Sequence, residues 1–305
     1  MSLRVRSAVV AALFAAVVVA VALPSAARAQ DKELVEKAKA TAVANLKKAG
    51  IEKPTAVETN NYLVVGSMSE EKAKTLGEVL EKTTALARKT LKYEEKDTAW
   101  KGKLVVYLMP EIKEYQALMR RAMLGDPTDN THADLRADPP FLADSVKVGG
   151  KPTDEDLYAN TAARVAGELL KAKGTGTQNV PEWLRDGFGR ATAMRAEGAT
   201  SKRYTAYRAQ AKVAIYGTKG GKVPALADVW GDAKITGGDV LATSFADYLA
   251  YGPGAAKFPM FIDGLKPSEG NATPTVPQGL EAAGWKPADL PMLEAAWRTW
   301  VFAGK

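Results

Sequence analysis

Two carboxylates stand at positions suited to moving a proton or holding a cation. Glu168 lies in Thr161-Ala-Ala-Arg-Val-Ala-Gly-Glu-Leu-Leu-Lys171, and Asp186 lies in Pro181-Glu-Trp-Leu-Arg-Asp-Gly-Phe-Gly189. A carboxylate pair can serve as acid and base, as in glycoside hydrolysis, if the surroundings push the two groups into different protonation states. It can also hold a hard cation, although oxygen-only sites need more ligands than these two supply. The chain has a single histidine, His132, and no cysteine. A site needing two imidazoles cannot be assembled, and thiolate chemistry is excluded. A Ser/His/Asp triad would have only His132 as its base, and no G-x-S-x-G elbow is present. Gly217-Thr-Lys-Gly-Gly221 lacks the spacing of a phosphate-binding loop and reads as a turn.

The two segments resemble a pair of helices that hold a metal in another setting. In H-E-x-x-H, histidines at i and i+4 share one helical face and bind zinc, while the glutamate takes a proton from the metal-bound water. Here the histidine positions are Gly167 and Lys171, and the glutamate position is Glu168. The second segment is similar to P-x-W-L-x-E-G-x-A, with Asp186 at the third-ligand position and Trp183 before it. The ending Ala288-Asp-Leu-Pro-Met-Leu-Glu-Ala-Ala-Trp-Arg-Thr-Trp300 resembles a terminal helix built on L-E-x-x-W. Together these segments resemble the peptidase-MA-like gluzincins of exported bacterial proteins, a zinc metallopeptidase-like family. The resemblance implies an α+β, gluzincin-like fold: a small mixed β-sheet subdomain followed by a mainly helical one. It also marks Glu168 as a vestigial general-base position, and Gly167, Lys171 and Asp186 as vestigial ligand positions. Gly167 offers no ligand atom, an ammonium at Lys171 has only donors, and Asp186 is one methylene short. A degenerate member that has lost its zinc and carries no other cofactor is expected.

Two accounts of Glu168 follow from its neighbours. Arg164 lies four residues before it, so Glu168 can be half of an i, i+4 ion pair on a solvated helix face, worth a few tenths of a kcal/mol. Alternatively, Lys171 fills part of the space a metal would take and pairs with Asp186 or Glu168, which avoids unpaired buried charge.

The elements that must position these residues are legible from caps and periodicity. Thr153 is an N-cap, followed by Asp154, Glu155 and Asp156 in the first turn, and Gly174 can end that helix. Pro181 opens the next helix, which runs to about Gly198, and Tyr204–Tyr216 and Asp239–Tyr251 read as further helices. Upstream, Asn61–Gly66 and Lys103–Met109 are apolar, β-branched runs fit for strands. Ser67-Met-Ser-Glu70 offers a capping box for a helix carrying Leu76, Leu80 and Leu91, and Pro110 opens a helix through Leu124. The stretch from Gly125 to Pro140 reads as a loop that places His132 at the surface, and Phe141–Val148 as an edge strand or hairpin arm. Gly264–Ala283 is Pro/Gly-rich and reads as a loop. Trp183, Trp285, Trp297 and Trp300 read as inter-helix packing or core.

The leader and charge place the chain in the cell. Arg4 and Arg6 precede an apolar run from Ala8 to Leu23, and Ala27-Arg28-Ala29 has the form of an export cleavage site. The expected organisation is a signal peptide over 1–29, an amino-terminal helix over 30–58, an α/β subdomain over 59–150 and a helical subdomain over 151–305. A periplasmic or extracellular location follows from it; a retained leader would instead anchor the chain to a membrane. Without Arg4, Arg6 and Arg28, 39 basic residues face 35 acidic ones. That small, scattered excess suits solvated helix faces and gives no basic stripe for nucleic acid. The expected function is an exported, catalytically inactive protein that binds a peptide, a cell-envelope polymer or a protein partner. The alternatives are an exported hydrolase built on Glu168 and Asp186, and an envelope structural protein with a vestigial cleft.

Overall fold

The computed structural model describes residues 24–145, 152–174, 180–216, 225–230 and 237–303. The expected apolar leader lies outside them. The first described element, α1 (Pro24–Lys48), continues through Ala27-Arg28-Ala29 as helix. Among the described residues, no helix is long and apolar enough to cross a membrane.

The fold is α+β, with a five-stranded mixed sheet and ten α-helices among the described residues. Strands β1 (Thr55–Glu58), β2 (Tyr62–Gly66), β3 (Leu104–Met109), β4 (Thr131–Asp134) and β5 (Phe141–Ser145) lie in the order β1-β2-β3-β5-β4. The central three run parallel, with Val64 opposite Val106 and Val106 opposite Leu142. The two edges, β1 and β4, are antiparallel to their neighbours. Strand β3 is buried along its whole length, which explains its unbroken apolar sequence. Its alternate side chains feed two cores. Val105, Tyr107 and Met109 meet Ala42 and Leu46 of α1 and Leu118 of α3 (Ile112–Leu118). Leu104, Val106 and Leu108 meet Leu76 and Leu80 of α2 (Glu70–Thr90) and Ala162 and Val165 of α4 (Asp154–Lys173).

The remaining helices gather around α7 (Gly238–Tyr251), buried from Leu241 through Ala250. Around it stand α5 (Glu182–Glu197), α6 (Lys202–Tyr216), α8 (Phe258–Gly264), α9 (Val276–Ala282) and α10 (Leu290–Ala303). Their core includes Phe188, Phe245, Phe258 and Trp297. Helix α4 is shared: its amino-terminal half packs on the sheet, while Ala166, Leu169 and Leu170 join the helical core. One rigid element thus ties the two halves together.

Several local expectations shift. The stretch 125–140 is not all loop, because Thr131–Asp134 pairs with Phe141–Asp144 and carries His132 onto an edge strand, where its ring packs 5.6 Å from Phe141. The loop reading of 264–283 misses α9, which Thr275 caps by accepting from Gln278 N. Ser69, not Ser67, caps α2, and Ser67 Oγ donates to Glu114 at 2.5 Å. The helix expected from Pro110 starts at Ile112 and finishes in a π-helical turn over Met119–Met123.

Candidate functional site

A cleft of about 920 Å³ lies between edge strand β4, helix α4 and the start of α5. It is the place where the candidate residues meet. Glu168, Lys171 and Asp186 line it, as do His132, Asn160, Arg164, Arg185 and Arg190.

Helix α4 begins at a reciprocal cap: Thr153 Oγ1 accepts from Asp156 N, and Asp156 Oδ2 accepts from Thr153 N. Three acidic residues in its first turn and Lys171 and Lys173 in its last complement the helix dipole. With the helix start fixed, Arg164, Glu168 and Lys171 fall on one face over about 10 Å of axis.

The partners of these groups differ from the i, i+4 expectation. Glu168 is only 7 % exposed, so it is not on a solvated face. Arg164 turns away from it, and its Nε lies 3.1 Å from Oδ1 of Asp144 on β5. Asp144 is buried and also accepts from Thr161 Oγ1 at 2.7 Å and from Ser145 N at 3.0 Å. Burial pushes the Asp144 carboxyl above its ordinary value, against the opposing pull of Arg164, Thr161 and the Ser145 N–H. Glu168 pairs instead with Lys171, with Nζ 3.6 Å from Oε2. That oxygen is buried and has no hydrogen-bond partner among the described residues. The alternative pairing of Lys171 with Asp186 does not form. Asp186 Oδ1 accepts from Arg185 Nε at 2.8 Å, and Glu182 lies 3.5 Å from the same guanidinium.

Gly167 is covered. A Cβ built there would stand 3.0 Å from both Cγ and the backbone oxygen of Arg185. One helix turn further along the contact, a Cβ on Gly189 would stand 2.1 Å from the Ala163 oxygen. These glycines let α4 and α5 approach until backbone meets side chain and backbone, and the approach fills the place a ligating side chain at 167 would need.

Trp183 is not at the cleft surface. Its half-buried ring stacks 5.9 Å from Phe245 and lies 6.3 Å from Trp230, in the helical core.

The donor set does not suit a zinc ion. Gly167 has no ligand atom, and the Lys171 ammonium, which has no lone pair, is ion-paired with Glu168. Among the described residues, no three His, Cys, Asp or Glu side chains gather where a metal ion could be held.

Sequence reasoning missed Asp144, Arg185 and Arg190 as parts of this site. The signal for Asp144 was a carboxylate inside the otherwise apolar and small strand Phe141-Leu-Ala-Asp-Ser145, since a buried acid demands a partner. No family model matches the chain, and no curated protein matches it by sequence.

Proposed function

We propose that this chain is an exported, catalytically silent relative of the gluzincin peptidases that uses the cleft between β4, α4 and α5 to bind an extended peptide. Sheet-then-helices order, the succession of α4 and α5, and the convergence of Glu168 and Asp186 on one cleft support the relationship. The carrying observation is the covered Gly167: the ligand position is closed by the Arg185 contact while a cleft of about 920 Å³ stays open beside it.

A peptide is favoured by the wall that β4 forms. Among the described residues, strand β4 pairs on one side only, with β5, and residues Asp129–Ala133 face the cleft. The unpaired edge of a strand offers N–H and C=O groups in the register of an extended chain. Glu168 and Asp186 are each already ion-paired, so binding rather than bond cleavage is the chemistry the arrangement favours.

Two titrations test the reading. Zn²⁺ added to the metal-stripped chain in a calorimeter is expected to give no micromolar binding; tight one-to-one binding would overturn the silent-relative assignment. A fluorescein-labelled pool of random hexapeptides is expected to bind the chain and to lose at least tenfold in affinity on Asn160→Trp. Asn160 is an exposed lining residue, so the indole fills the cleft without entering a core. Equal binding by both proteins would move the site elsewhere.

A further inference from the structure

The four cations lining the cleft are not equivalent. Arg185 is taken by Asp186 and Glu182, Lys171 by Glu168, and Arg190 by Asp239 on α7 at 3.2 Å. Each of these partners is itself at the cleft or at the surface. Arg164 is held differently. Its anchor, Asp144, sits beneath the cleft on β5 with a side chain 3 % exposed, and the nearest approach, Nε to Oδ1 at 3.1 Å, is an ion pair without a hydrogen bond. Thr161 and the Ser145 N–H fix the Asp144 carboxylate in turn. The guanidinium is therefore held from below by charge. It makes no hydrogen bond among the described residues, and Arg164 lines the cleft wall. Such a fork, with its donors unfilled before a ligand arrives, matches the two oxygens of a carboxylate.

One turn along the same face, Glu168 is closed to a ligand: its Oε2 is buried, with the Lys171 ammonium at 3.6 Å. The wall thus presents a carboxylate receptor at Arg164, next to strand β4, which pairs on one side only among the described residues.

We infer that Arg164 is a specificity-determining residue that captures a carboxylate of the bound peptide. The inference rests on the cleft reading above and adds the ligand class: peptides bearing a carboxylate, at the C-terminus or on an acidic side chain.

The test uses the full chain and three hexapeptide pools carrying a dansyl label, which has no carboxylate of its own. One has a free C-terminal carboxylate and no acidic residues, one is amidated and also lacks acids, and one is amidated with a single glutamate. Wild type is expected to bind the first or third pool at least tenfold more tightly than the second, and which of the two it prefers identifies the source of the carboxylate. Arg164→Lys keeps a cation beside Asp144, and so keeps the fold, but removes the fork. It is expected to bind all three pools within about threefold of one another, with an unchanged melting curve. Equal binding of the pools by wild type, with Asn160→Trp still blocking all of them, would overturn the carboxylate inference and leave the cleft reading standing. An undiminished preference in Arg164→Lys would overturn it as well. Binding of no pool, or binding indifferent to Asn160→Trp, would remove the cleft reading and this inference with it.

Discussion

Replacing Gly189 with alanine sets two physical effects against each other. In an exposed helix interior the change should stabilise by about 1 kcal/mol, because alanine has the higher helix propensity. At Gly189, however, the new methyl would lie 2.1 Å from the Ala163 oxygen and 2.9 Å from its carbonyl carbon. Ordinary contact begins at 3.4 Å, and both obstructing atoms are backbone, so no rotamer change relieves the overlap. Helices α4 and α5 must part by about 1 Å, in an interior packed as densely as an organic crystal. Overpacking of this kind costs about 1–3 kcal/mol, and a backbone obstruction puts it at the upper end. After the propensity gain, a net loss of about 2 kcal/mol remains. Urea unfolding followed by circular dichroism should show a lower midpoint at an unchanged slope. Gly167→Ala is the graded companion. Its Cβ meets Arg185 at 3.0 Å, one of the two contacts is to a movable side-chain carbon, and the expected change lies within about 1 kcal/mol of zero. If Gly189→Ala were more stable than wild type, the close helix approach, and with it the closure of the ligand position, would be refuted.

Other perturbations reach separate parts of the molecule. Asp247 of α7 is fully buried and holds Arg195 Nε, while Tyr204 Oη donates to it at 3.3 Å. Asp247→Asn should cost about 3 kcal/mol in urea unfolding, because the guanidinium stays in place without its counter-charge; an unchanged midpoint would show that the pair contributes nothing. A hydrogen bond from Arg203, at 2.7 Å, is the largest cause holding the Asp156 carboxyl below its ordinary value. A depressed carboxyl contributes stability above its unfolded pKa of about 3.9 and loses it as pH falls through the folded value. The gap between wild type and Arg203→Gln should therefore be full at neutral pH and close below about pH 4 in a series of thermal melts. The pair is partly exposed, so the gap should not exceed about 1 kcal/mol. Trp297 Nε1 donates to Ser244 Oγ at 3.0 Å inside the helical core, and Ser244→Ala should cost about 1–2 kcal/mol by leaving that N–H unpaired. A melt within 1 °C of wild type would mean the indole finds another acceptor.

The local signals that determined this protein's elements are short-range, and they were legible in the sequence. Thr153 with Asp156, Gly174, Pro181 and Gly198 bound α4 and α5 because capping involves residues within a turn of one another. The strand at Leu104–Met109 announced itself because a strand buried on both faces has no polar alternation to obscure it. The face carrying Arg164, Glu168 and Lys171 follows from helical periodicity alone. What only the tertiary structure decided was which partner each group would take. Periodicity offered Glu168 to Arg164, yet Asp144, 20 positions earlier in a different element, claimed the arginine. Burial then left Glu168 with Lys171, since desolvation favours whichever counter-charge the packing brings within reach. Gly167 shows the same division. In the sequence it is a missing ligand, whereas in the fold it is where α5 lies against α4, because a residue without a Cβ admits the neighbouring helix. Strand β4 was hidden for a related reason: four residues in an Asp/Asn/Pro-rich stretch become a strand only when Phe141–Asp144 supplies the hydrogen bonds.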